Sequence, residues 1–191
     1  MSREICNPLA SIVAAARKEL PLATGASARA ERIRNRPACN VVLADVSASM
    51  AEPAAGRRKI DVLAEAMRTL PHSSRLVAFS NLVTPIPDAA HMPQPSGSTA
   101  LHLALDHCAS IDATHILVIS DGHPDSRTAA LAAADRLNAR IDVIYCGPDN
   151  DSDGMMFMQR LARGGGAAHH HTLSDAQQLT AAVRRLALPP R

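Results

Sequence analysis

The sequence predicts a doubly wound α/β fold, with a mostly parallel central sheet and helices on both of its faces. Short apolar runs bounded by turn residues, most clearly at 40–45 and 114–120, are typical of strands that are buried on both sides. Stretches with apolar residues at helical spacing lie between these runs, and the connections are short. Strands that alternate with helices in this way usually form a parallel sheet.

The first half of this pattern predicts a strand at 40–45, a helix over 57–70 and a second strand at 75–80. A short strand at 82–86 contains Pro85, which has no N–H group for a ladder hydrogen bond. We therefore expect this strand to be antiparallel and to lie at the edge of the sheet.

The second half repeats the alternation after a loop that is rich in proline and lacks periodicity. The predicted elements are a helix from Thr99, a strand at 114–120, a helix at 126–139, a strand at 141–146, a helix at 153–163 and a strand at 167–172. Ser174 and Gln177 form a capping box that opens a terminal helix.

Residues 1–38 are predicted to be a helical extension, separate from a domain over 39–191. The segment has seven basic side chains against three acidic ones, so it suits either a solvated helix face or a contact with nucleic acid or an acidic protein. One helix face is apolar and needs a surface to cover it, either on the domain or on a partner. Its residues are Leu9, Ile12, Val13, Ala16 and Leu20.

Composition excludes several classes of protein. Aromatic residues make up 2% of the chain and Trp is absent, so few side chains are available to stack on nucleic-acid bases. The 4 cysteines form no C-x-x-C pair, which favours reduced thiols over a zinc cluster or a disulfide framework. The chain has no leader-like apolar segment and no stretch of membrane-spanning length, so we expect a cytoplasmic location and no membrane partner.

Polar residues follow two of the predicted strands and precede one predicted helix. They form three motifs: Asp45-x-Ser47-x-Ser49, Gly97-Ser98-Thr99 and Ser120-Asp121-Gly122. The carboxyl ends of parallel strands meet at one edge of a sheet, where α/β proteins gather their ligand groups. Two carboxylates and three hydroxyls at that edge make an all-oxygen site, which suits Mg²⁺ or Mn²⁺ far better than Zn²⁺.

These three motifs, in this order and at these positions, closely resemble the metal-ion-dependent adhesion site of von Willebrand factor type A domains. The resemblance covers about residues 39–188, including Leu161-Ala-Arg-Gly-Gly165 before the last strand and helix. It implies a stand-alone, intracellular module of the bacterial or mobile-element type that mediates divalent-cation-dependent protein–protein interaction. It also implies that the site performs no enzymatic turnover.

The resemblance implies a role for each motif residue. Ser47 and Ser49 would bind the cation directly, and Thr99 directly or through water. Asp45 and Asp121 would hold the cation largely through water and hydrogen bonds. A partner protein would supply a carboxylate to the remaining position, and a MoxR-type AAA+ ATPase or another operon partner is an implied candidate.

The remaining candidate site residues are a serine of the second motif, a histidine after the third motif and a run of three histidines near the end of the chain. Ser98 and His123 are expected to line the partner-binding rim, although His123 fits an ordinary surface histidine equally well. In the run 169–171, the first and third histidines would share one face of a strand. Without a supporting carboxylate or cysteine, a polar edge strand is favoured there over a zinc site.

Two other functions are weighed against protein binding. A nucleic-acid-associated factor would use the basic segment 1–38. A Mg²⁺-dependent phosphoester hydrolase would use Asp45, but the second carboxylate expected two residues later is replaced by Ser47, and the chain has no P-loop.

Overall fold

The computed structural model describes residues 38–54, 56–71, 73–171 and 176–187. The predicted extension over 1–38, except Ala38, lies outside these residues, as does Ser174 of the predicted capping box. Within the described part of the chain, no helix is both long enough and apolar enough to cross a bilayer.

A six-stranded sheet forms the centre of the domain. Its strand order is β5-β4-β1-β6-β7-β8, and a separate two-stranded ribbon pairs β2 with β3. The strands are β1 (Asn40–Asp45), β2 (Pro53–Ala54), β3 (Arg57–Arg58), β4 (Ser74–Phe79), β5 (Val83–Ile86), β6 (His115–Ser120), β7 (Arg140–Tyr145) and β8 (Ala168–His170). The central strands β1 and β6 are buried along their whole length, as continuous apolar runs on a parallel sheet require.

Every pairing in the large sheet is parallel except that of β5 with β4. Because β5 pairs on one side only, Pro85 costs the sheet no interior hydrogen bond. The prediction of one short antiparallel strand at the edge is therefore confirmed.

Helices cover both faces of the sheet. They are α1 (Lys59–Met67), α2 (Leu101–Ser110), α3 (Arg127–Arg136), α4 (Ser152–Leu161) and α5 (Ala176–Leu186). Leu63 of α1 and Val183 of α5 pack with Val42 on one face of β1. Leu105 of α2 and residues of α3 and α4 pack with Leu43 on the other face. The predicted doubly wound α/β fold is confirmed.

Several predicted boundaries were wrong. The helix predicted over 57–70 begins at Lys59, because Arg57 and Arg58 pair with residues 53–54 in the ribbon. The helix predicted over 126–139 ends at Arg136, because Leu137 has an extended backbone. The loop predicted over 87–98 contains a short 3₁₀ helix, Ala89–His91, which is capped by the side chain of Asp88.

A buried carboxylate joins the strands at the opposite end of the sheet from the three motifs. Asp142 of β7 accepts hydrogen bonds from Arg140 Nε at 2.6 Å and from the Ala167 N–H at 2.9 Å, and it lies 2.8 Å from His115 Nε2. Burial alone raises the pKa of Asp142, but the bonds from Arg140, Ala167 and His115 outweigh it and lower the pKa below its ordinary value. The ionised carboxylate thus connects β6, β7 and the turn before β8.

We expect Asp142→Asn to lower the free energy of unfolding at pH 7 by about 3 kcal/mol, because the substitution leaves Arg140 without its anionic partner. The lowered pKa means that Asp142 contributes stability above pH about 4, and that this contribution is lost as the pH falls through the folded-state pKa. Urea titrations should therefore show a smaller difference in the free energy of unfolding between variant and wild type at pH 3 than at pH 7. The control is Asp106→Asn at an exposed ion pair, where we expect a change below about 0.5 kcal/mol. An equal loss at both pH values would contradict the assignment.

Candidate metal centre

The three motifs meet at the carboxyl edge of the sheet, where the neighbouring strands β1 and β6 end. Asp45 is the last residue of β1, and Asp121 directly follows β6. Thr99 of the second motif lies just before α2. Asp45, Thr99 and Asp121 are all buried. The sheet therefore gathers residues that are far apart in the sequence, as predicted.

The Asp45 carboxylate joins the first motif to the third. Its Oδ1 accepts a hydrogen bond from the Ser47 N–H at 2.8 Å, and its Oδ2 accepts one from Ser120 Oγ at 2.6 Å. Both oxygens of this fully buried group are thus occupied by protein donors. This arrangement suits a group that supports a metal centre through hydrogen bonds.

Ser47 and Ser49 present two hydroxyls side by side. A 3₁₀ helix over Ala48–Ala51 begins after Ser47 and is closed by a bond from the Met50 N–H to the Ser47 carbonyl. This turn brings the two Oγ atoms to 3.1 Å from each other. Neighbouring ligands on an octahedral cation with bonds of about 2.1 Å are about 3 Å apart, so the hydroxyl pair has the spacing that such an ion needs.

Asp125 holds the second motif against the third. Its carboxylate accepts hydrogen bonds from the Thr99 N–H at 2.9 Å and from Ser98 Oγ at 2.6 Å, and its own N–H donates to the Thr99 carbonyl at 3.0 Å. The second motif is also bonded to the first, since the Ala48 N–H donates to the Gly97 carbonyl. Sequence reasoning gave Asp125 no role, although its position four residues after Asp121 was a usable signal.

Asp121 contributes an oxygen that lacks a protein partner. Its Oδ2 lies 3.6 Å from Lys59 Nζ, whereas its buried Oδ1 accepts no hydrogen bond from the described residues. A buried carboxylate oxygen without a donor is costly, and a cation or its bound water would satisfy it. The residues present therefore fit a hard divalent cation.

The sequence analysis gave Lys59 no role, because helical spacing does not show that a lysine at the start of a helix is buried. It is buried, and its Nζ bonds to Glu52 at 2.8 Å as well as facing Asp121. Burial lowers the pKa of Lys59, but the hydrogen bond with Glu52 and the charges of Asp121 and Glu52 outweigh this effect and raise it. The ammonium group is therefore the one cation that the protein places beside the predicted ligands, within the described residues.

The two residues predicted for the rim differ in their exposure and bonding. Ser98 is exposed at the edge, but its hydroxyl is bound to Asp125. The His123 side chain is 56% exposed, and its Nε2 lies 2.6 Å from Asp151 Oδ2. Asp151 caps α4 and also accepts a hydrogen bond from the Tyr145 hydroxyl, so His123 is anchored to the end of that helix.

The histidine run lies on and just after β8. The rings of His169 and His171 are 6.4 Å apart and stack on one side, while His170 packs on Tyr145. No group of three or more His, Cys, Asp or Glu side chains in the described ranges is arranged to hold a metal ion. A metal at the edge described above would thus depend on the serine and threonine hydroxyls.

Burial raises the pKa of Asp45 to about 6, and the charge of the nearby Asp121 adds a small further increase. The bonds from Ser120 and Ser47 lower this pKa and offset only part of the effect. Without a cation, ionising Asp45 therefore opposes folding.

We expect Asp45→Asn to stabilise the metal-free protein at pH 7.5. A pKa raised from 3.8 to about 6 corresponds to about 3 kcal/mol that folding loses as the pH rises through this range. Thermal melts in EDTA at pH 7.5 should show a higher Tm for the variant, whereas melts at pH 4 should nearly coincide. A variant that is less stable at both pH values would show that the hydrogen bonds of the carboxylate outweigh its charge.

We expect Asp125→Ala to lower the free energy of unfolding by about 1–3 kcal/mol, because the Thr99 N–H and the Ser98 hydroxyl lose their acceptor. The variant should also bind divalent cations more weakly, although Asp125 is not among the predicted ligands, because Thr99 is no longer held. Denaturant titration and Mn²⁺ binding measure the two effects. Asp153→Ala, at a carboxylate that is 71% exposed, should change neither. Unaltered Mn²⁺ affinity would contradict the clamping role of Asp125.

Comparison with known proteins identifies the fold. No protein-family model and no curated protein matches this chain. Among solved structures, the chain is similar to the manganese-loaded TRAP protein of Plasmodium vivax, with a TM-score of 0.58 and 18% sequence identity. The similarity covers 80% of this chain and 74% of that chain. At this level of identity the likeness concerns the fold, and it supports the type A-like architecture that the motifs predicted.

Proposed function

We propose that this chain is a divalent-cation-dependent protein-interaction module. Its carboxyl edge would bind Mg²⁺ or Mn²⁺ and present it to an acidic residue of a partner protein. The observation that carries this proposal is the pairing of the Ser47 and Ser49 hydroxyls, 3.1 Å apart. At the same edge, one carboxylate oxygen of Asp121 has no hydrogen-bond partner among the residues that the structure describes. A similar fold in a manganese-loaded protein is further support.

Each residue of the centre has a separate task in this proposal. Ser47, Ser49 and Thr99 would supply neutral oxygens to the cation, and Asp121 would hold it through its free oxygen or through water. Asp45 would orient the Ser47 turn by its hydrogen bonds. A cation bound largely by neutral hydroxyls retains much of its charge, and it would supply the electrostatic attraction for an incoming carboxylate.

The same geometry argues against an enzyme. Both oxygens of Asp45 accept hydrogen bonds from the protein, so this carboxylate is poorly placed to act as a nucleophile or general base. His123 is bound to Asp151 instead of being directed at the hydroxyl pair. We therefore propose binding without turnover.

The partner in this proposal is a protein with an accessible Asp or Glu, since a carboxylate is the group that the bound cation would attract. The MoxR-type AAA+ ATPase implied by the family resemblance is one candidate. The alternative of a nucleic-acid-associated factor depends on residues 1–38, which lie outside the described part of the chain.

Binding of the cation and binding of the partner are best tested together. With the metal at 100 times its Kd, we expect Mn²⁺ or Mg²⁺ to stabilise the wild-type protein by about 2.7 kcal/mol. A pull-down in Mg²⁺ should retain a partner that is lost in EDTA. Ser47→Ala should abolish both effects, and Ser110→Ala, at an exposed serine that ends α2, should abolish neither. Equal retention of the partner in Mg²⁺, in EDTA and by Ser47→Ala would refute metal-mediated recognition.

A further inference from the structure

Lys59 occupies an unusual position for a lysine. It is the first residue of α1, and its side chain is 10% exposed. Its ammonium group lies between Glu52 Oε2 at 2.8 Å and Asp121 Oδ2 at 3.6 Å. Lysine is seldom buried unless it is paired, so the charge of its partners explains its place in the fold.

The two acidic partners of Lys59 differ in environment. The Glu52 side chain is 63% exposed and is screened by water, whereas the Asp121 side chain is 5% exposed. Electrostatic interactions are stronger where water is excluded. The ammonium group is hydrogen-bonded to Glu52, but its charge acts more strongly on Asp121 than on Glu52. Asp121 is one of the two carboxylates proposed to hold the cation.

Lys59 is also joined to the turn that carries the serine hydroxyls. Its backbone N–H donates to the Glu52 carbonyl at 3.0 Å, and the Glu52 N–H donates to the Ser49 carbonyl at 3.1 Å. Lys59 is thus linked through Glu52 to the Ser49 turn, while its side chain faces the Asp121 loop.

The charges at the centre can be compared with and without this lysine. Ionised Asp45 and Asp121 alone would neutralise a divalent cation. Lys59 adds one buried positive charge beside Asp121, and Glu52 offsets that charge only in part, because its side chain is 63% exposed and screened by water. Once a cation is bound, the buried part of the centre therefore keeps an excess of positive charge. An excess positive charge weakens the hold on the cation and strengthens the attraction for a carboxylate from outside.

We propose that Lys59 is a built-in counter-ion that competes with the divalent cation for Asp121 and makes the loaded centre electropositive. This inference deepens the proposed function and rests on it. In the metal-free protein the ammonium group holds Asp121 in place. In the loaded protein it sets the charge that selects an anionic partner.

The test measures Mn²⁺ affinity by the electron paramagnetic resonance signal of the free ion, which needs no partner protein. Lys59→Met removes the charge and keeps the unbranched, apolar stem of the side chain, and we expect it to tighten Mn²⁺ binding at least about tenfold. Lys59→Arg keeps the charge and should bind Mn²⁺ within about threefold of wild type. Glu52→Gln leaves the ammonium group with Asp121 alone, so Mn²⁺ binding should weaken by about threefold or more.

Thermal melts provide a second readout, namely the rise in Tm on adding Mn²⁺. If Lys59 were only structural, replacing it would not increase this rise. Lys59→Met should be less stable than wild type in EDTA, because Asp121 loses its counter-ion, and Mn²⁺ should raise its Tm more than that of wild type. If Lys59→Met does not fold, Glu52→Gln decides: weaker Mn²⁺ binding supports the inference, and unchanged binding overturns it.

The outcomes separate this inference from the proposed function. Equal or weaker Mn²⁺ binding by Lys59→Met, beside measurable binding by wild type, overturns the counter-ion and leaves the metal-dependent module standing. Binding by Lys59→Met alone supports the counter-ion and refutes metal binding by the natural protein. No Mn²⁺ binding by any folded variant refutes both.

Discussion

The hydrogen bond from Ser120 to Asp45 is the interaction on which the candidate centre depends. It joins the ends of β1 and β6, the two central strands, and it lies in a fully buried environment. Donors on both oxygens stabilise a carboxylate in such a place, and the Ser47 N–H provides the second. The first turn and the third loop are therefore oriented by one side chain.

Asp125 extends this arrangement to the second motif. It binds Ser98 and Thr99 through its carboxylate and Thr99 again through its backbone, so the loop before α2 is held against the loop after β6. Bonds between charged and neutral groups are stronger than those between neutral groups. The three loops thus form one connected edge, in which the hydroxyls are placed by carboxylates that need not touch a cation themselves.

Charge is unevenly balanced at this edge. Burial and the neighbouring Asp121 disfavour the ionised form of Asp45. The ammonium group of Lys59 lies beside Asp121, where its positive charge would repel a divalent cation. For the metal that we propose at this edge, these opposing effects would favour weak and reversible binding over a permanent structural site.

The sequence by itself determined the fold class, the order and approximate positions of the strands, and the residues of the three motifs. The local signals were continuous apolar runs, the turn residues at their ends, and Pro85 in the edge strand. Each of them indicates the strand in which it lies. The convergence of the motifs followed from one general property of parallel sheets, namely that their carboxyl ends share an edge. Local patterns do not report how deeply a polar side chain is buried or which distant residue it meets.

Tertiary structure alone decided the roles of Lys59, Asp125 and Asp142. The ribbon that pairs residues 53–54 with 57–58 makes α1 begin at Lys59, whose side chain faces Asp121, 62 positions along the chain. Asp125 and Asp142 find their partners through contacts that span 25 to 27 positions. Pairings over such distances depend on the packed positions of whole strands and helices, and no periodicity in the sequence encodes them.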